Sequence, residues 1–190
     1  SKVVPEALGA NITFAVRARF VLLRDLGSAL SPTNAFNFIQ GLETLPLRFR
    51  VHQENAEKVA HYLNGHPDVN HVIYPSLQNE SKNISRTKKY LTKGHGPLVG
   101  FELNGGKEAG QQFIDNLKMI YHVANIGDAR TLAIHPASTT HSQLSEVDQL
   151  KAGVTPGYVR LAVGLEYIDD ILEDINQAIN KIQTKIKKVP

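Results

Sequence analysis

Cysteine is absent from the 190 residues. That removes disulfides, thiolate nucleophiles and zinc sites built on cysteine, and it leads to the expectation of a cytoplasmic setting. Long apolar runs are missing too, since nothing approaches the roughly 18 residues that a membrane span needs. The first residues show no charged, apolar and small-residue zones of a signal peptide, so the expectation is a protein neither inserted nor exported. Charge of one sign is scarce. Lys plus Arg number 21 against 18 Asp plus Glu, a net charge of +3, too slight an excess to argue for a nucleic-acid partner. A Walker loop, a dinucleotide glycine fingerprint, a nucleophile elbow and a two-histidine zinc helix are all missing, which withdraws support from the commonest motif-defined enzymes. What is present is ordinary globular chain, 42% hydrophobic and 21% charged, long enough for one core and a second small unit.

The opening stretch carries Ile12, Phe14, Val16, Phe20, Val21, Leu22, Leu23 and Leu26, a mostly apolar helix that Asn11 or Thr13 would cap and Gly27 would end. Ser31-Pro32 starts a second helix, with the cap at Ser31 and the ring at the first helical position. Helical spacing then runs from Ala35 to Leu45, is interrupted around Pro46, and resumes through Ala56, Val59, Ala60 and Leu63 to Asn64-Gly65. Strands are expected at Val69–Tyr74, Pro97–Leu103, Ile120–Ala124, Thr131–Ile134 and Tyr158–Val163, with a helix over about Lys107–Leu117. The polar, basic segment Ser76–Lys93 reads as loop or solvated face. A final helix, about Ile168–Lys187, has Ile168, Ile171, Leu172, Ile175, Ile179, Ile182 and Ile186 on one stripe, acids at its start and lysines at its end. Helices alternating with strands give an α/β class, a small sheet covered by helices.

Within Tyr158–Glu166, the period-two residues Val159, Leu161 and Val163 form one buried face, which leaves Arg160 on the other with Tyr158 and Ala162. A guanidinium stays charged and presents a planar fork of donors. Its partner is either a carboxylate of this chain or a ligand, and spacing alone leaves both open. Between two strands, Val123–His141 holds Asn125, Gly127, Asp128, Pro136 and several hydroxyls, a composition suited to a small ligand. His135 and His141 flank this loop without a third ligand at metal spacing, so no metal site is expected. His52, His61, His66 and His71 read as surface residues.

Three blocks, Ala124-Asn125-Ile126-Gly127-Asp128-Ala129-Arg130-Thr131-Leu132, His135-Pro136-Ala137-Ser138-Thr139-Thr140-His141 and Pro156-Gly157-Tyr158 through Glu166, resemble the C-terminal part of the Cys/Met-metabolism pyridoxal phosphate (PLP) enzymes. Leu30–Phe36 and Gly41–Arg48 do so as well, and the blocks run in family order from about residue 6 to the end. Asn125-Ile126-Gly127-Asp128-Ala129-Arg130 looks like the O-acetylhomoserine sulfhydrylase branch.

The resemblance implies the C-terminal domain of an aspartate-aminotransferase-like fold. Residues 1–30 would be a remnant of the large PLP-binding domain, 31–65 a long connecting helix, and 66–190 the C-terminal α/β domain. Arg160 would bind the α-carboxylate of an amino-acid substrate and Asn125 would line the same place, with Thr139 and His141 as scaffold. The Ser-x-Thr-Lys block that holds PLP in this family is missing from these residues. The expectation is thus a C-terminal portion of a homo-oligomeric enzyme that makes homocysteine or methionine from O-acetylhomoserine, with the large domain as its missing partner. Alone it is expected to bind no PLP covalently, to supply no catalytic residue, and to be inactive. Cystathionine γ-synthase, methionine γ-lyase and a non-catalytic assembly module are the alternatives.

Overall fold

The computed structural model describes residues 12–182, and the chain divides into two compact units, Ser1–Leu45 and Pro46–Pro190. In the first, α1 (Thr13–Arg17), a π-helical stretch (Ala18–Leu23) and α2 (Arg24–Leu26) follow one another. Gly27 stops them in the left-handed region, φ 67°, where a glycine costs nothing. The cap position is held by Ile12, which makes no side-chain bond, while Asn11 lies outside the described residues. Helix α3 (Pro32–Glu43) starts as the sequence indicates, with Ser31 Oγ accepting from the Asn34 N–H at 3.2 Å. The apolar side chains Phe36, Phe38, Ile39 and Leu42 on it are exposed.

The second unit begins along α4 (Leu45–Asn64). The expected interruption falls at Thr44, and Pro46 sits in the first turn of α4, where its missing N–H breaks no helical bond. Ala56, Val59, Ala60 and Leu63 are buried as the spacing predicts, whereas Leu47 and Phe49 are exposed. Five strands follow: β1 (Val69–Ile73), β2 (Leu98–Leu103), β3 (Tyr121–His122), β4 (Leu132–Ile134) and β5 (Tyr158–Ala162). They form one sheet in the order β1-β2-β5-β4-β3, antiparallel throughout except for the parallel β3–β4 pair. Helices α5 (Ser81–Tyr90), α6 (Gly106–Asn116), α7 (Glu146–Lys151) and α8 (Ile168–Asn180) complete it. The result is an α/β fold, a small mixed sheet flanked by helices.

One local expectation needs correcting, since the Ile120–Ala124 strand contracts to the two residues of β3. Within the basic segment, helix α5 keeps Lys82, Arg86, Lys88 and Lys89 exposed, the solvated face that the sequence indicates, on a helix rather than a loop. Helix α7 has no counterpart among the elements that the sequence indicates. It is held by a Ser145 Oγ cap on the Asp148 N–H at 3.2 Å, and its apolar Val147 and Leu150 point outward, so it carries no buried stripe to read.

Strand alternation divides the sheet into two chemically different faces. Val99, Phe101, Leu103, Val159, Leu161 and Val163 meet Val59 and Leu63 of α4, Phe113 of α6, and Ile171, Ile175 and Ile179 of α8 in one core. Phe101 and Phe113 pack edge to face at 5.5 Å. Full burial of each such aliphatic side chain contributes roughly 1.5–3 kcal/mol, so the isoleucine stripe of α8 seals this face. Ile186 and the lysines at 185, 187 and 188 lie outside the described residues.

The same core corrects the reading of His52 as a surface residue. It is 3% exposed, and its Nδ1–H donates to the Val163 carbonyl at 2.7 Å. One turn on, Asn55 Nδ2 donates to the carbonyls of Gly164 (3.1 Å) and Glu166 (3.0 Å). Helix α4 therefore holds the chain just past β5, directly after the strand that carries Arg160.

Candidate active site

The second face of the sheet carries the site. Register places Ile73 beside Gly100, Gly100 beside Arg160, and Arg160 beside Ile134, so one cross-strand row reads Ile73–Gly100–Arg160–Ile134. Gly100 leaves the space next to Arg160 without a side chain, and the Tyr158 ring fills it. A Cβ added to Gly100 would meet Tyr158 Cε2 and Oη at 2.7 Å. Burial pushes the Tyr158 phenol above its usual value, and the positive charge of Arg160 draws it partly back.

Ile73, Ile134, Tyr158 and Arg160 of that row and its neighbour line a cavity of about 570 Å³ together with Asn125, Thr140 and His141. Arg160 Nη2 donates to the Asn125 backbone carbonyl at 3.3 Å. Its Nε is buried and has no hydrogen-bond partner, and no Asp or Glu pairs with it among the described residues. The alternative of an internal salt bridge therefore finds no support there. Arg160 and Asn125, 35 residues apart in sequence, come together at one wall, and the Asn125 side chain has an internal task as well, its Oδ1 accepting from the Ile126 N–H at 2.9 Å. Its one side-chain donor is Nδ2. Further along the loop, Arg130 lies over the Tyr121 ring at 4.4 Å and 3.7 Å from the Asp128 carboxylate.

His141 is at the rim, its Nδ1 bonded to Thr140 Oγ1 at 2.9 Å. Thr139 turns inward, donating from Oγ1 to the His135 carbonyl at 2.8 Å. His135 itself is fully buried. Nε2 faces the Pro156 carbonyl at 2.7 Å, and since a carbonyl only accepts, Nε2 carries the proton and Nδ1 accepts from Ser138 Oγ at 2.7 Å. Gly110 of α6 touches this ring so closely that a Cβ there would collide with it. Among the described residues no three His, Asp or Glu side chains could hold a metal ion.

Burial is the main cause that holds the His135 imidazole below its ordinary value of 6.5, with the charges of Lys107 and His122 adding to it and the Pro156 bond opposing. In the window just below pH 6.5 the unfolded chain binds a proton that the folded chain refuses. Stability contributed by neutral His135 is thus full above about pH 6.5 and declines as pH falls, by at most about 1.4 kcal/mol per pH unit. Urea unfolding at a series of pH values from 7.5 to 5 will show this slope, and His135→Gln will remove it. An identical slope in the variant would refute the assignment.

A small mixed sheet flanked by helices is the α/β fold that this chain shares with PLP-dependent enzymes of fold type I. The chain belongs to the Cys/Met metabolism PLP-dependent enzyme family, which it matches over residues 6–180. It is 54% identical over 175 residues to the O-acetyl-L-homoserine sulfhydrylase of Leptospira meyeri, a match covering 92% of this chain and 39% of that protein. Among solved structures, the O-acetylhomoserine (thiol)-lyase of Campylobacter jejuni, determined with N'-pyridoxyl-lysine-5'-monophosphate, aligns with a TM-score of 0.81 at 43% identity over 90% of this chain and 40% of that one. Cystathionine γ-lyase from Lactobacillus plantarum, complexed with L-serine, aligns with a TM-score of 0.74 at 32% identity over 84% and 41%. The chain spans about two fifths of the length of the curated relatives it matches.

The family is PLP-dependent, and in such enzymes the cofactor serves as the electron sink. Among the described residues, the cavity wall beside Arg160 includes no lysine to receive the cofactor aldehyde and no carboxylate to meet its ring nitrogen. The residues of this wall do not by themselves fit PLP.

Proposed function

We propose that Arg160 anchors the α-carboxylate of an amino-acid substrate, with Asn125 beside it, in an enzyme that converts O-acetylhomoserine and sulfide, or a thiol, into homocysteine or methionine and acetate. The observation that carries the first part is the guanidinium itself, with a buried, unpartnered Nε and a cavity in front of it. A carboxylate offers two acceptors in one plane, the complement of the Nε/Nη edge. Fixing that end of the substrate sets the orientation of its reacting bonds, which is a positioning effect. Two relatives support the choice of substrate class: one is an O-acetyl-L-homoserine sulfhydrylase, and another was solved with the amino acid L-serine. The domain assignment follows the same reading, with 1–30 belonging to a large PLP-binding domain, 31–65 connecting, and 66–190 forming the C-terminal domain.

The nucleophile decides between the branches. In an enzyme of the relatives' full length, sulfide plus O-acetyl-L-homoserine should yield homocysteine, detected by mass spectrometry. Cystathionine formed from cysteine as the better nucleophile, or breakdown of methionine as the main activity, would replace this reading with a synthase or a γ-lyase.

A second reading concerns assembly. Phe14 is 86% exposed, and Phe36, Phe38 and Leu42 are each at least 60% exposed, more apolar surface than an isolated unit usually presents to water. We take the active form to be a homo-oligomer. The 190-residue chain is expected to self-associate, with a sedimentation coefficient that rises with concentration, and a concentration-independent monomer would refute this.

A further inference from the structure

We infer that Glu166 and Thr131 are positioning residues that hold the Asn125 loop against Arg160, an inference resting on the carboxylate reading of Arg160 for its consequence but not for its geometry. The loop runs from β3 to β4, and at its near end Asn125 meets Arg160. At its far end the Glu166 carboxylate grips Thr131 twice, accepting from the Thr131 N–H at 2.6 Å and from Thr131 Oγ1 at 2.8 Å. Thr131 Oγ1 in turn accepts from the Gly164 N–H at 2.8 Å, and the Leu165 N–H donates to the Ala129 carbonyl at 2.7 Å. A closed ring of four bonds therefore joins residues 129–131 to residues 164–166.

The ring has specific chemical requirements. Thr131 is fully buried, and its hydroxyl both accepts and donates, so a side chain without oxygen cannot replace it. Glu166 supplies two acceptor oxygens that share one negative charge, which makes its bonds stronger than neutral ones. It pairs with no Lys or Arg among the described residues. Gly164 has no room for a Cβ, which would collide with the Glu166 carboxylate and the Thr131 nitrogen. The other side of the same segment is fixed to α4 through His52 and Asn55. Positional order thus passes from the core helix to residues 163–166, across the ring to Thr131, and along the loop to Asn125 at the cavity wall. β5 contacts both ends of the loop, with Arg160 at one and its own continuation at the other.

The test uses the 15N-labelled 190-residue chain and three variants: Thr131→Val, Glu166→Gln and Thr131→Ser. Amide hydrogen exchange at Asn125, Ile126, Arg130 and Leu165 should accelerate about tenfold or more in the first two, since Thr131→Val removes both bonds of the hydroxyl and Glu166→Gln replaces one acceptor by a donor, while Phe101 in β2 keeps its rate. Thr131→Ser retains the hydroxyl and should restore the slow exchange. Acceleration spread equally to Phe101 means a general structural role, and no acceleration means no clamp; either overturns the inference. If Thr131→Val fails to fold, Glu166→Gln carries the comparison. O-acetyl-L-homoserine is then titrated while the Arg160 Nε–H resonance is followed. A saturable shift in the wild type that needs severalfold more ligand in the clamp variants supports positioning, and equal binding overturns it. A wild-type resonance that does not respond refutes the carboxylate reading and leaves the exchange result standing.

Discussion

Arg160→Lys will lower kcat/KM for O-acetyl-L-homoserine roughly 10²–10³-fold in an enzyme of the relatives' full length, the range expected when one partner of a buried, hydrogen-bonded charge pair is lost. Lysine keeps the charge but not the fork. The strand register fixes the backbone of residue 160 between Gly100 and Ile134, so an ammonium on a flexible stem cannot offer the two coplanar donors that hold a carboxylate in one plane. The loss should appear mainly with substrates that have the carboxylate. With the O-acetylhomoserine amide, variant and wild type should differ by less than about threefold, because the missing fork then has nothing to grip. Folding should hardly change. Among the described residues the guanidinium makes one 3.3 Å bond, to the Asn125 carbonyl, and its Nε makes none, so the urea midpoint should correspond to a stability change within about 0.5 kcal/mol. A drop in kcat/KM below tenfold, or an equal drop with the amide, would remove Arg160 from its proposed place.

How much of this site was readable beforehand can be judged residue by residue. Period two put Arg160 on the face opposite Val159 and Leu161 without any structure, because alternation is a local property of a strand. Its neighbours were a different matter. Gly100 and Ile134 flank it through pairings across 60 and 26 residues, and register between distant strands is set by tertiary packing that no window of sequence contains. The same limit explains His52. Nothing around it in α4 distinguishes it from the exposed His61, and its partner, the Val163 carbonyl, lies 111 residues away. Glu166 and Thr131 both stand in blocks that resemble the family, yet their bond spans 35 residues and has no local signature. Helix α7 escaped for the opposite reason: it packs no apolar stripe, so the periodicity that reveals helices was not there.

Asp174→Ala is expected to cost the largest amount of stability of any single change on α8, about 3 kcal/mol or more. The residue falls among Ile171, Ile175 and Ala178 on the buried stripe, where an ionised carboxylate needs full compensation. It has that compensation. One oxygen accepts from the Lys118 N–H, and the other from the N–H groups of Met119 and Ile120, all at 2.9 Å; Gln177 Nε2 adds a fourth bond at 2.9 Å. The turn after α6 thus aims three successive backbone donors at one buried anion, tying that turn to α8 at the start of the segment that leads into β3. Removing the carboxylate leaves those donors facing an apolar core, and each unsatisfied group costs roughly 1–3 kcal/mol before relaxation or entering water offsets part of it. Asp174→Asn distinguishes charge from shape. It keeps one acceptor but turns an NH₂ toward N–H groups that can only donate, so it should destabilise by about 2 kcal/mol or more despite being nearly isosteric. Guanidinium unfolding of both variants, read by far-UV circular dichroism, checks the order. An asparagine variant as stable as the wild type would mean that the three N–H groups do not need an anion, and that water reaches a position the packing of Ile120 and Ile175 would otherwise keep dry.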